Sequence, residues 1–198
     1  MAEKMKTPEN DDPKGMSERN KLLYGEFADT SDPELQEIFK HARRAWMRLN
    51  TLSPHDPGYR DALEDLIPGT PPSVFLSPPF YCDHGCNIKL GEYVFINYNC
   101  CFLDGGGITI GHHTLIGPSV QIYTPMHPID YMERRKTIER SPAVKIGNDC
   151  WVGGGAVICP GVTIGDRCIV AAGSVVVHDV PDDCMVAGNP AVIKKRLA

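Results

Sequence analysis

Ile146-Gly-Asn-Asp-Cys-Trp-Val152-Gly-Gly-Gly-Ala-Val-Ile158-Cys-Pro-Gly-Val-Thr-Ile164-Gly-Asp-Arg-Cys-Ile-Val170-Ala-Ala-Gly-Ser-Val-Val176 places an aliphatic residue at every sixth position. A small residue follows four positions later in most repeats: Cys150, Ala156, Cys168 and Ser174. Glycine follows Ile146, Val152 and Ile164 directly. This period suits neither an isolated helix nor a simple alternating strand. It is the period of a β-solenoid, in which each unit is a short strand and a tight corner, and three units close one triangular coil. The aliphatic side chain points inward and stacks on its counterpart one coil away, and the small residues relieve crowding at the corner.

Upstream the same period runs through Leu90, Ile96 and Phe102, and again through Ile110, Ile116 and Ile122. Two interruptions separate the runs. Asp104-Gly105-Gly106-Gly107 lengthens one unit. Between Ile122 and Ile146 the polar segment YTPMHPIDYMERRKTIERSPAVK breaks the repeat yet returns in phase. It is therefore expected as a loop extruded from the coil over residues 123–145, and loops on rigid scaffolds are favoured places for chemistry.

Ahead of the solenoid, SDPELQEIFKHARRAWMRLN reads as a helix. Ser31 and Asp32 are candidate caps, Pro33 suits the first turn, and Leu35, Ile38, Phe39, Ala42, Trp46 and Leu49 form an apolar stripe. SPHDPGYRDALEDLIP suggests a second short helix, and the Pro-rich PGTPPSVFLSPPF a hinge into the repeats. The expected organisation is a loose, charged arm over residues 1–16, a helical cap over 17–70 and a solenoid domain over 71–198. The chain closes on a turn at Gly188-Asn189-Pro190 and a basic tail. The fold class is mainly β, a parallel β-helix with a helical cap.

Composition limits the alternatives. The 198 residues suit one domain, and a net charge of -5 carries no nucleic-acid or polybasic membrane signature. The N-terminus lacks the apolar stretch of a secretory signal, so a cytoplasmic location is the default. Three of the eight cysteines, Cys100, Cys150 and Cys168, fall on the small-residue position and read as buried thiols rather than disulfide partners. Cys82 and Cys86 make a lone C-x-x-x-C without a second half, and no metal is expected.

Several stretches together resemble the maltose and galactoside O-acetyltransferases: GEFADTSDPEL, FYCDHGCNI, FINYN, YTPMHPID in the extruded loop, IGNDCWVGGGAVICPGVTIG and AGNPAVIKK. The resemblance spans roughly residues 17–198. It implies a left-handed β-helix, a homotrimer with active sites between subunits, acetyl-CoA as co-substrate and a small sugar (maltose, glucose or a galactoside) as acceptor. It also implies that His127, in T-x-x-H-P-x-D, is the general base. A sugar hydroxyl is a weak acid, and an imidazole titrates near the working pH.

The resemblance further implies acceptor contacts at Asp29, Asp83 and Asn97, with the cap contributing Asp29. Asp104 reads as a pocket residue or as the anchor of a Gly-rich turn. Glu139 stands to orient His127 or to bind sugar. On the donor side are Asn99, Trp151 and the bare backbone of Gly153 and Gly154, where an N–H could stabilise an oxyanion. Ala172 lies on a small-residue floor, and Lys194 and Lys195 are placed to neutralise CoA phosphates. Three other readings stay open: the same transfer to a non-sugar alcohol, a non-catalytic scaffold, and a zinc-dependent carbonic anhydrase. The last needs converging histidines, and the chain has only the adjacent pair His112 and His113 at a corner.

Overall fold

The structure, a computed structural model, describes residues 15–197. The arm expected over residues 1–16 lies outside them apart from Gly15 and Met16. Three β-sheets form the faces of a solenoid. The first face stacks Phe75–Leu76, Phe95–Ile96, Leu115–Ile116, Trp151–Val152, Ile169–Val170 and Cys184–Gly188 in parallel. The second stacks Phe80–Cys82, Cys100–Leu103, Gln121–Tyr123, Val157–Ile158 and Val175–Val176. The third stacks Ile88–Leu90, Ile108–Ile110, Val144–Ile146 and Thr163–Ile164. Every aliphatic of the six-residue period except half-buried Leu90 is buried inside, as are Cys100, Thr114, Cys150, Ala156, Cys168 and Ser174. All eight cysteines are free thiols.

Two stretches differ from expectation. The Pro-rich passage is not only a hinge, because the first coil already begins within it at Phe75. The basic tail is a strand, Ala191–Arg196, which folds back antiparallel on Cys184–Gly188.

The three faces differ outwardly. The first presents Phe75, Phe95, Leu115, Trp151, Ile169 and Met185 in one register ladder, with Leu115 48% and Trp151 56% exposed. The third presents only Lys89, Thr109, Lys145 and Thr163, all exposed.

The cap covers the open upper end of the solenoid, where unpaired strand edges would otherwise meet solvent. It consists of α1 (Glu18–Leu23), α2 (Pro33–Leu49) and α3 (Tyr59–Leu66). Asp32 caps α2, its Oδ1 accepting from Glu34 N at 2.9 Å. Beyond α2, Asn50 pairs with the first coil as a strand residue would, donating to Phe80 O at 2.9 Å and accepting from Phe80 N at 2.8 Å. Tyr59 donates to Leu76 O at 2.5 Å. Leu49, Leu63 and Leu66 join the solenoid's apolar core. No described helix is long and apolar enough to cross a membrane.

The corner between the third and first faces repeats a hydrogen-bonded ladder. Glu92 N donates to His112 Nδ1 (3.0 Å), His112 N to Asn148 Oδ1 (2.8 Å), Asn148 N to Asp166 Oδ1 (2.7 Å) and Asp166 N to Asp182 Oδ1 (2.9 Å). Each of the first four rungs begins after a glycine, and Gly111 shows why: a Cβ there would stand 2.6 Å from the carbonyl carbon of Gly147 one coil below.

Candidate active site

The corner between the second and third faces breaks this regularity, and there the candidate residues gather. Its first turn, Asp83 to Asn87, is built around Asp104. That side chain is fully buried. Its Oδ1 accepts from His84 N (2.8 Å) and Asp83 N (3.2 Å), and its Oδ2 from Asn87 N (3.2 Å). Burial raises its pKa, opposed by the backbone N–H and the ring of His84 and by the backbone N–H groups of Gly85 and Asp104 itself. Of the two roles expected for Asp104, the structure supports the turn anchor. The acceptor contact is corrected, because a carboxylate with no exposed surface and both oxygens engaged has nothing to offer a ligand.

The glycines after Asp104 seat the returning end of the extruded loop. A Cβ on Gly106 would stand 1.5 Å from Ser141 O, so the loop backbone lies directly against the corner. Between strands the loop spans residues 124–143. It contains α4 (Tyr131–Arg134), capped by Asp130. Its base closes through Met126 and Arg140, whose N–H groups donate to each other's carbonyls at 2.7 and 3.0 Å. Ile138–Glu139 pairs antiparallel with Ala28–Asp29 of the cap.

Cap, corner and loop enclose a cleft of ≈ 220 Å³, lined by Leu22, Thr30, Leu35, Gln36, Phe39, Asp83, His84 and Glu139. Burial, with the charges of Asp104 and Glu139, pushes the Asp83 carboxyl up to about 7. Burial also raises Glu139, which the nearby His127 pulls back. His127 itself is exposed, next to the Met126 bridge. Burial lowers the pKa of His84, opposed by Asp104. Its Nδ1 lies 3.1 Å from the Asn87 amide nitrogen. With that amide as donor, the ring proton sits on Nε2. The cleft thus brings the His84 imidazole beside two carboxyls.

Asp29 lies on the strand that pairs with Glu139's strand. Its Oδ1 accepts from Ser31 N (2.9 Å), Ser31 Oγ (2.7 Å) and Thr137 Oγ1 (2.8 Å), which hold its pKa down and tie cap to loop.

The remaining candidates lie elsewhere. Asn97 and Asn99 sit at the corner between the first and second faces. Asn97 Oδ1 accepts from Tyr98 N at 2.8 Å, and Asn99, at φ 60°, donates to Ser119 Oγ at 3.2 Å. Gly153, Gly154 and Ala172 stack on the same corner two and three coils further on, with Trp151 on the adjoining face. Gly153 is buried, and a Cβ there would stand 2.5 Å from Ala172 N, so coil stacking alone demands this glycine. Lys194 and Lys195 are exposed on the last strand. One chain therefore brings Asp83, Glu139 and His127 together, with Asp29 on the adjoining strand, and leaves the donor-side set a full face away. Sequence reasoning missed Thr30, Gln36 and Phe39 as cleft residues. Phe39 was legible only as part of a core stripe, because the wall it meets comes from residues far away in the chain.

Among the described residues, no group of three or more His, Cys, Asp and Glu side chains is arranged to hold a metal ion.

Residues 143–178 match the family described as bacterial transferase hexapeptide (six repeats). Nodulation protein L of Rhizobium meliloti is 42% identical over 180 residues, 90% of this chain and 98% of that protein. A hexapeptide-repeat-containing acetyltransferase from Vibrio cholerae, solved in complex with acetyl coenzyme A, is 40% identical with a TM-score of 0.86, covering 92% of this chain and 100% of that one. A maltose O-acetyltransferase from Clostridium difficile is 36% identical with a TM-score of 0.89, covering 92% and 98%.

Proposed function

Because the chain belongs to the hexapeptide-repeat acetyltransferases, the family of the maltose and galactoside O-acetyltransferases, we propose that it moves an acetyl group from acetyl-CoA to a sugar hydroxyl, with His127 as general base. The observation that carries this reading is the cleft. It gathers hydrogen-bonding groups suited to hydroxyls, Asp83, Glu139 and His84, within electrostatic reach of one exposed histidine.

The chemistry follows from that arrangement. Acceptor and acetyl-CoA bind together. His127 takes the hydroxyl proton as the oxygen attacks the acetyl carbonyl. The carbon–sulfur bond then breaks, and the imidazolium returns the proton to the departing thiolate. Glu139 stabilises the imidazolium. A backbone N–H near Gly154 is the candidate oxyanion donor. The transfer needs no acyl-cysteine, and burial raises the Cys82, Cys86, Cys100, Cys101, Cys150, Cys159 and Cys168 thiols, against thiolate formation.

Two features support a homotrimer with sites between subunits. The outward ladder from Phe75 to Met185 is the kind of contiguous apolar surface that marks protein interfaces. The acceptor-side and donor-side candidates also occupy different corners, so a site combining them needs one subunit's His127 corner against its neighbour's Asn97–Ala172 corner. Trp151 then belongs to both interface and site.

The test is CoA-thiol release from acetyl-CoA with maltose, glucose, galactosides and non-sugar alcohols, beside His127→Ala. Sugar-dependent release that falls about a hundredfold or more in the variant is expected for loss of a general base. Release from non-sugar alcohols alone moves the acceptor class. No release from any acceptor, in a folded trimer, favours the scaffold.

A further inference from the structure

The acceptor cleft has two unlike sides. The solenoid corner and loop supply Asp83, His84 and Glu139. The cap supplies Leu22, Leu35 and Phe39, with Thr30 and Gln36 at the polar margin. Leu22 and Leu35 are almost fully buried and pack on each other's cluster with Ala28. Phe39 is different. It is half-buried, a turn beyond Leu35, and belongs to neither that cluster nor the main core. The guanidinium of Arg43 lies 5.8 Å from its ring centroid and braces it from the same helix. The ring is thus a flat apolar surface left in the cleft, held in place but not used to fill the core.

A pyranose matches such a site. One face of the ring is a patch of C–H bonds, and its edge carries hydroxyls. Aromatic rings present a negative face to polarised C–H groups, and carboxylates accept from the hydroxyls. At ≈ 220 Å³ the cleft is smaller than the roughly 300–1,000 Å³ of sites for drug-sized ligands.

We propose that Phe39 is a specificity-determining residue of this cleft. Its ring is the platform for the C–H face of a single terminal sugar ring, whose hydroxyls meet Asp83, Glu139 and His84. The inference rests on the sugar-acceptor reading above and narrows it to one ring at the end of the acceptor.

Acetylation kinetics of Phe39→Ala, Phe39→Leu and Phe39→Tyr test it, measured with glucose, maltose and an acyclic polyol, alongside thermal melting. In Phe39→Ala and Phe39→Leu the KM for both sugars is expected to rise about tenfold. The kcat should stay within about twofold, and the KM for acetyl-CoA should not change. Phe39→Tyr keeps the flat face and is expected to stay within about twofold of wild type throughout. Phe39→Leu holds apolar volume without a flat face, so it separates platform from packing even if Phe39→Ala folds poorly. Turnover of sugars with an unchanged sugar KM in Phe39→Leu overturns the platform alone. So does an equal loss for sugars and polyol. Absence of sugar turnover by the wild-type protein overturns the acceptor reading and the platform together.

Discussion

Two corners of the same solenoid solve the same geometric problem in opposite ways. Between the third and first faces, every turn from Gly91 to Asp183 uses one device. A close-packed residue, glycine in all but the last turn, is followed by a residue whose side chain, from the second turn onward, accepts from the preceding coil's backbone. A residue at positive φ completes the turn: Tyr93, His113, Asp149, Arg167 or Asp183. Between the second and third faces, no two successive turns are alike. One is organised around a buried aspartate, the next is a triple glycine, and the third is a loop of residues 124–143. A periodic corner spreads its stabilisation over interchangeable rungs. An aperiodic corner concentrates it in a few groups, and those same groups build the cleft. The cost of breaking each corner is therefore expected to differ in size and in kind.

The largest contrast is at Asp104. Asp104→Ala removes the acceptor for three backbone N–H groups in a buried turn, each of which then costs on the order of 1–3 kcal/mol unsatisfied. Denaturant melts are expected to show a loss of about 3 kcal/mol or more, together with loss of turnover, because the turn carries Asp83 and His84. Asp104→Asn keeps one oxygen acceptor and is expected to fall between. A loss under 1 kcal/mol in Asp104→Ala would mean that this corner is held elsewhere, and the contrast between the corners would fail.

Asp83 sharpens the contrast through pH. Burial and two neighbouring carboxylates raise its folded pKa to about 7, against an ordinary value near 3.8. The folded state keeps a proton that the unfolded chain has lost. Stability therefore falls as pH rises through the window between these values, and the loss is complete above 7. Asp83→Asn removes that dependence. Its melting temperature is expected to equal that of wild type near pH 4 and to exceed it by several degrees above pH 7, the difference growing as pH rises between the two pKa values. A difference that stays constant across the range would show that Asp83 titrates normally.

The same contrast explains what could be read before the structure. The six-residue period named the inward positions down to Val176, because each repeat states the same packing rule again. The cap helix was legible from Asp32, Pro33 and its apolar spacing. What escaped depended on single contacts between distant residues. Asn50 pairs with Phe80 like a strand residue, Ser141 presses on Gly106, and Ile138 joins Asp29. None of these leaves a period in the chain. His127 stood out by its motif, and Asp83 and Glu139 by position. Asp104 was legible as a site or as an anchor but not as one over the other, since an aspartate before glycines has the same letters in both roles. Phe39 read as core for the same reason: its spacing fits the stripe, and only the wall opposite shows that it faces a cleft.

The smallest expected effect comes from the regular corner. His112 is exposed, and its Nδ1 accepts from Glu92 N at 3.0 Å. On the next rungs Asn148, Asp166 and Asp182 do this with a side-chain oxygen, so the histidine is one chemical solution among several. His112→Ala is expected to cost about 0.5–1 kcal/mol, the net worth of one hydrogen bond to a group that water can also satisfy. His112→Asn should restore most of it, because asparagine already fills this position one coil away. Turnover should be unchanged in both, since the rung lies on a different corner from His127. If His112→Ala instead cost several kcal/mol, the rungs would not act independently. The ladder would then be a cooperative element that fails as a unit, and regularity in a solenoid corner would be a source of fragility rather than tolerance.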